Sequence, residues 1–212
     1  MAHFLKMHIK IKESERTIAR LLREAIRSEV DDRLNEAEEN IKRDVKALTR
    51  DLLANQPEIQ SLKNGKLKAD FGIPKGEDPT PAIIESIVNT LEIELRMSTS
   101  GTSPKIGGLS IYIQPKNFAN LLYLSGVTVT TKKGTVIPWL QWLLTAGDKI
   151  LVVDYHVEYK SGTGRSGLGT MKGGDTFRVN PSFSGTVDNN FISRTFQGAE
   201  NRLSDIIRRH IG

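Results

Sequence analysis

The chain has 212 residues, of which 38% are hydrophobic, 26% charged and 6% aromatic, with a formal net charge of +5 and no cysteine. That balance excludes a disordered or membrane-embedded chain and predicts one substantial domain, with or without a long appendage, around a mainly aliphatic core. The lack of cysteine excludes a disulfide scaffold and thiolate chemistry, and fits a chain made in a reducing cytoplasm. Met1 to Lys12 is basic and mixed, without the continuous apolar stretch of a signal peptide. No window approaches the run of about 18 apolar residues that a membrane span needs.

The first element is the clearest. From Ser14 to Asn55, apolar residues recur by threes and fours: Ile18, Leu22, Ile26, Val30, Leu34, Ala37, Ile41, Val45, Leu48 and Leu52. That is one helical stripe, with Ser14 and Thr17 offering a cap and Pro57 ending it. A helix of about 35 to 40 residues would reach roughly 55 Å, longer than a compact domain of this size is wide. It therefore either folds back near Asp31 and Asp32 as a hairpin or projects and packs against another chain. Residues 1–56 are accordingly read as an N-terminal long helix or helical hairpin, and residues 57–212 as an α+β domain.

Within that domain, Pro57 to Phe71 reads as a short helix and connector ending at Gly72. A turn-rich loop, Pro74 to Pro81, comes next. A second helix is predicted with Thr80 as N-cap and Pro81 at its first position, carrying Ile83, Ile84, Ile87, Val88, Leu91 and Leu95 on one face. Residues 98–108 read as a flexible linker. Leu109, Ile111 and Ile113 then alternate as in a half-buried strand. Val127 and Val129, followed by the turn Lys132-Lys133-Gly134, suggest a hairpin. Pro138 to Leu144 reads as a short apolar helix, and Ile150 to Tyr159 as the best strand in the chain. A glycine-rich loop at 161–174 is expected to stay mobile until it meets a partner. Phe177, Val179 and Phe183 suggest extended edge structure, and Phe191 to His210 a closing helix. The fold class is α+β, with helices first, then a small, mostly antiparallel sheet, then a C-terminal helix.

Motifs for catalysis are missing. Gly162-Thr-Gly-Arg-Ser-Gly167 matches a dinucleotide-binding pattern literally, but Leu168 to Asp175, rich in glycine, cannot open the helix that would hold a pyrophosphate. His3, His8, His156 and His210 show no metal-ligand spacing. The pairs Asp31-Asp32 and Glu38-Glu39 point about 100° apart on a helix and make poor dyads. Nothing selects Asp148, Asp154, Glu158 or Asp175 as a set. No cofactor, metal or enzymatic activity is expected. The basic residues Lys132, Lys133, Arg165, Lys172 and Arg178 fall in predicted loops and, with Arg194, are candidate interface residues. A nucleic-acid module that contacts only the backbone would use them in the same way.

Four segments resemble virion proteins of contractile-tailed bacteriophages: Leu62-Lys-Asn-Gly-Lys-Leu-Lys-Ala-Asp-Phe-Gly72, Trp142-Leu-Leu-Thr-Ala-Gly-Asp-Lys-Ile-Leu151, Arg165-Ser-Gly-Leu-Gly-Thr-Met171 and the stretch from Arg178 to Arg194. The resemblance implies a non-enzymatic structural protein of the neck or tail, of connector, tail-terminator or tail-completion type. Its expected partners are copies of itself, arranged in a ring, and neighbouring neck or tail proteins, with DNA a further partner if the ring surrounds a channel. It would act in the virion, after assembly in the host cytoplasm. A baseplate or head-completion role is the alternative on the same resemblance.

Overall fold

A computed structural model describes residues 13–99, 107–113, 117–131, 133–160 and 162–212. The expected long helix is a single element, α1 (Glu15–Ala54). Ser14 keeps an extended backbone and its Oγ accepts the Thr17 N–H at 3.2 Å, filling one of the donors left open at a helix start. The helix runs through Asp31 and Asp32, where a hairpin would have turned. The Asp31 carboxylate instead accepts the Ser98 N–H at 3.0 Å and stands 2.9 Å from Ser98 Oγ, tying a later segment to the helix. Forty residues at 1.5 Å each span about 60 Å, against a radius of gyration of about 17 Å for a compact chain of this length.

Two short helices come next, α2 (Pro57–Asn64) and α3 (Lys66–Asp70), and then α4 (Thr80–Asn89). Thr80 was expected to cap α4, but it is the first helical residue. Asp78 takes the capping role, its Oδ1 accepting the Thr80 N–H at 3.0 Å and the Thr80 hydroxyl at 2.6 Å. Asp78→Ala should therefore cost about 1 kcal/mol, seen as a lower urea midpoint. An unchanged midpoint would mean that Pro79 and Pro81 alone set the start of the helix.

The helix predicted to continue through Leu95 stops at Asn89, and Leu91–Arg96 is a strand, β1. Leu91 and Leu95 fit either period, but Leu91 and Ile93 are buried while Glu92 and Glu94 are exposed, so the alternation of a sheet face wins. β1 pairs antiparallel with β2 (Gly108–Ile113), from Leu91 opposite Ile113 to Arg96 opposite Gly108. Of the expected linker at 98–108, residues 100–106 lie outside the described residues.

The remaining elements are α5 (Ala119–Leu122), β3 (Val129–Thr130), β4 (Val136–Ile137), α6 (Trp139–Thr145), β5 (Val152–Val153), β6 (His156–Tyr159), β7 (Gly169–Lys172), β8 (Thr176–Phe177) and α7 (Glu200–Ile211). β3 and β4 form the expected hairpin. The long strand expected from Ile150 to Tyr159 is two short ones, because Asp154 turns left-handed at φ 62°. Its carboxylate accepts the Gly174 N–H at 2.6 Å and holds the turn. β5 then pairs with β8, and β6 with β7. The segment read as a mobile loop is thus partly a strand. The described strands form four separate antiparallel pairs instead of one sheet.

The closing helix begins at Glu200, later than expected. Residues 191–198 form turns that end at Gly198, whose φ of 76° would strain any other residue. α7 lies antiparallel along the second half of α1. Arg202 meets Asp51 at 2.7 Å near one end, and His210 Nε2 lies 2.9 Å from Asp44 near the other. The architecture is α+β, with two apolar clusters. The larger surrounds Phe71, which stacks on Trp139 at 5.6 Å and meets Phe177 edge-on at 6.5 Å. The smaller buries Leu34, Ile41, Val45 and Leu48 of α1 against Leu91, Ile93 and Ile206. No helix among the described residues is long and apolar enough to cross a membrane.

Candidate docking surfaces

A groove of about 800 Å3 has residues of both β4 and β7 in its lining. Neither strand has a second neighbour among the described residues. The groove holds Trp142, Leu151, Val152 and Phe177, and beside them Val136 and Met171 are 56% and 37% exposed. Such a concave, largely apolar surface with a few polar groups is what ligand and peptide sites share. The glycine motif stands at its edge, and the chain's own packing explains it. A Cβ on Gly164 would collide with the Gly169 carbonyl, and Gly167 turns at φ 72°. The next element is a strand, not a helix, so there is no helix N-terminus to receive a phosphate.

Asp70, the last residue of α3, closes part of the groove. It is 5% exposed, its Oδ1 accepts the Tyr159 hydroxyl at 2.5 Å, and its backbone carbonyl accepts the Tyr155 hydroxyl at 3.4 Å. Burial raises the Asp70 carboxyl from 3.8 to about 6, outweighing the tyrosine hydrogen bond and the nearby Lys66 charge, both of which lower it. Burial also raises Tyr155 to about 12, and it raises Tyr159 as well, where the contact with Asp70 adds to the effect. Both tyrosines therefore remain hydroxyl donors across the neutral range. Sequence reasoning missed this network. Asp70 lies between the core residues Ala69 and Phe71, which hints at burial, but nothing local announces a partner 89 residues away.

The six candidate cations separate into four groups. Lys132 lies outside the described residues. Lys133, Arg165 and Lys172 come together on the groove, Arg165 donating from Nη1 to the Thr130 carbonyl at 2.8 Å. The charge of Lys172 is matched by Glu158 at 2.8 Å, which leaves Lys133 and Arg165 as the groove cations without a carboxylate partner among the described residues. Arg178 is exposed beside β8 and is not part of the groove lining. Arg194 faces inward. Its Nη2 donates to Glu58 Oε1 at 2.6 Å and its Nη1 to Asn189 at 3.0 Å. The Glu58 side chain is 4% exposed, so Arg194 serves to compensate a buried carboxylate.

The second surface is the free end of α1. Past Val30, toward the N-terminus, none of the described helix residues is buried. Arg33 donates to the Ile211 carbonyl at 3.1 Å, marking the end of α7, and Asp31 marks the end of β1. In the stretch from Glu15 to Val30, Leu21, Leu22 and Ile26 are 48%, 57% and 63% exposed, with Ile18 and Val30 half-buried on either side. This overhang is about 24 Å long.

Among the described residues, no cluster of three or more His, Cys, Asp or Glu side chains could hold a metal ion. Comparison with protein-family models, with curated proteins and with solved structures gives no match.

Proposed function

We infer that the chain is a non-enzymatic structural protein of a tailed bacteriophage particle, one subunit of a ring that joins or closes the neck or tail by docking to neighbouring virion proteins. The observation that carries the self-assembly is the overhang of α1. The same stripe that is buried from Leu34 to Leu53 runs on exposed through Leu21, Leu22 and Ile26. A helix of this length gains most of its stability from packing, so an apolar face held in water is a face awaiting a partner. The phage assignment rests on the resemblance carried by residues 62–72, 142–151, 165–171 and 178–194. These segments supply much of the larger core, including Leu62, Leu67, Phe71, Leu143 and Phe191.

Light scattering across a concentration series, with negative-stain images of any large species, tests the reading. A discrete ring is the expected result, and a strict monomer at every concentration would overturn self-assembly. The variant Leu22→Lys with Ile26→Lys should weaken association at least about a hundredfold, since each buried aliphatic side chain is worth about 1.5 to 3 kcal/mol. The melting temperature of the subunit should hardly move, because both positions are exposed in it.

A further inference from the structure

We propose that the exposed face of α1 in one copy docks into the groove that β4 and β7 help to line in a second copy, so that each chain carries both halves of a head-to-tail interface. This pairing rests on self-assembly of the chain and adds to it which surface meets which.

The helix supplies a ridge of matching chemistry. Successive residues turn by 100°, which gathers Ile18, Leu21, Leu22, Ala25 and Ile26 on one side of the overhang. The charged residues that share this side between Glu15 and Val30 are Glu15 and Glu29, both acids. With Glu29 paired to Arg33 at 2.6 Å, it is Glu15 that lacks a cation partner among the described residues. Arg16, Arg20, Arg23 and Arg27 all turn away. The overhang is nearly balanced in charge overall, yet its apolar face is acidic and its back is basic.

The groove is the complement. It presents apolar side chains from Trp142, Leu151 and Phe177, and its cations Lys133 and Arg165 have no carboxylate partner among the described residues. Its own acids are engaged, Asp70 by the Tyr159 hydroxyl and Asp154 by the Gly174 N–H. An amphipathic helix laid in an apolar groove, with acids meeting rim cations, is a recurrent mode of recognition. Ridge and groove are different surfaces, so their pairing is not two-fold. It repeats from subunit to subunit and closes into a ring when the rotation allows.

Because the chain has no cysteine, cross-linking can read this contact directly. The full-length variant Leu22→Cys with Val136→Cys, oxidised mildly after assembly, should give a ladder of dimers, trimers and higher species on a non-reducing gel. Neither single variant should. A second pair, Ile26→Cys with Met171→Cys, covers a small error in register, and all four positions are exposed, so folding is not at stake. Lys133→Glu should raise the assembly midpoint concentration at least tenfold. A dimer from Leu22→Cys alone would show that two helices pair with each other and would overturn the groove assignment. Absence of a ladder from both pairs, in a sample that light scattering shows to be assembled, would overturn it and leave the ring intact. A strictly monomeric sample would remove both readings together.

Discussion

Replacing Arg194 with alanine should lower the melting temperature of the subunit by roughly 10 °C, although the residue lies on a turn and 26% of its side chain is exposed. The reason is Glu58. Its carboxylate stands at the start of α2, where a negative charge is favoured, but it is 4% exposed and its Oε2 has no hydrogen-bond partner among the described residues. Removing the one cation that pairs with it among the described residues leaves a buried charge uncompensated, a loss of about 3 to 5 kcal/mol. Adding Glu58→Gln to Arg194→Ala should recover most of the loss, because the buried group is then neutral. Thermal unfolding of the two variants decides the matter. If the single variant melts with the native chain, the ion pair contributes little. If the double variant is as unstable as the single one, packing of the arginine stem is what matters.

Asp70→Asn should stabilise the protein at pH 8 and make little difference at pH 4. The folded chain raises this carboxyl from 3.8 to about 6 through burial. A carboxyl raised on folding favours the fold in its neutral form. That contribution is complete below the unfolded value and is lost as the pH climbs through about 6. The displacement corresponds to about 3 kcal/mol between the protonation states. Asparagine keeps an acceptor for the Tyr159 hydroxyl without the charge. Urea midpoints of both proteins at pH 4, 6 and 8 should therefore diverge as the pH rises. A gap that stays constant across the three values would show that burial of the charge is not its source.

The helices were legible where one period ran unopposed. The stripe of α1 needed only spacing and a capping serine, and α6 needed only its proline and its apolar run. The errors fell where two signals overlapped. Leu91 and Leu95 fit a helix or a strand, and only the glutamates between them, set against a neighbouring strand, decide for β1. Asp154 looked like one polar residue in a good strand, since the left-handed turn it makes depends on a glycine amide twenty residues on. The candidate site was half legible. Glycine and basic residues marked the segment that lines the groove, but Lys172 and Arg194 have carboxylate partners that spacing along the chain cannot disclose. Asp70 was invisible for the same reason, because its raised proton affinity comes from walls built by distant residues.

The end of α7 at Arg33 fixes where the overhang of α1 begins, so the arm has a set reach and a set rotational phase. One residue inserted just before Arg33 would carry its tip about 1.5 Å outward and swing Leu22 and Ile26 through about 100°, presenting arginines where the apolar ridge had been. Seven residues would return the ridge to within about 20° while adding roughly 10 Å. Reach and phase cannot be varied separately in a rod of this kind. The arm thus acts as a ruler whose graduations come at whole heptads, and changes to its length that keep its facing would arrive in steps of that size.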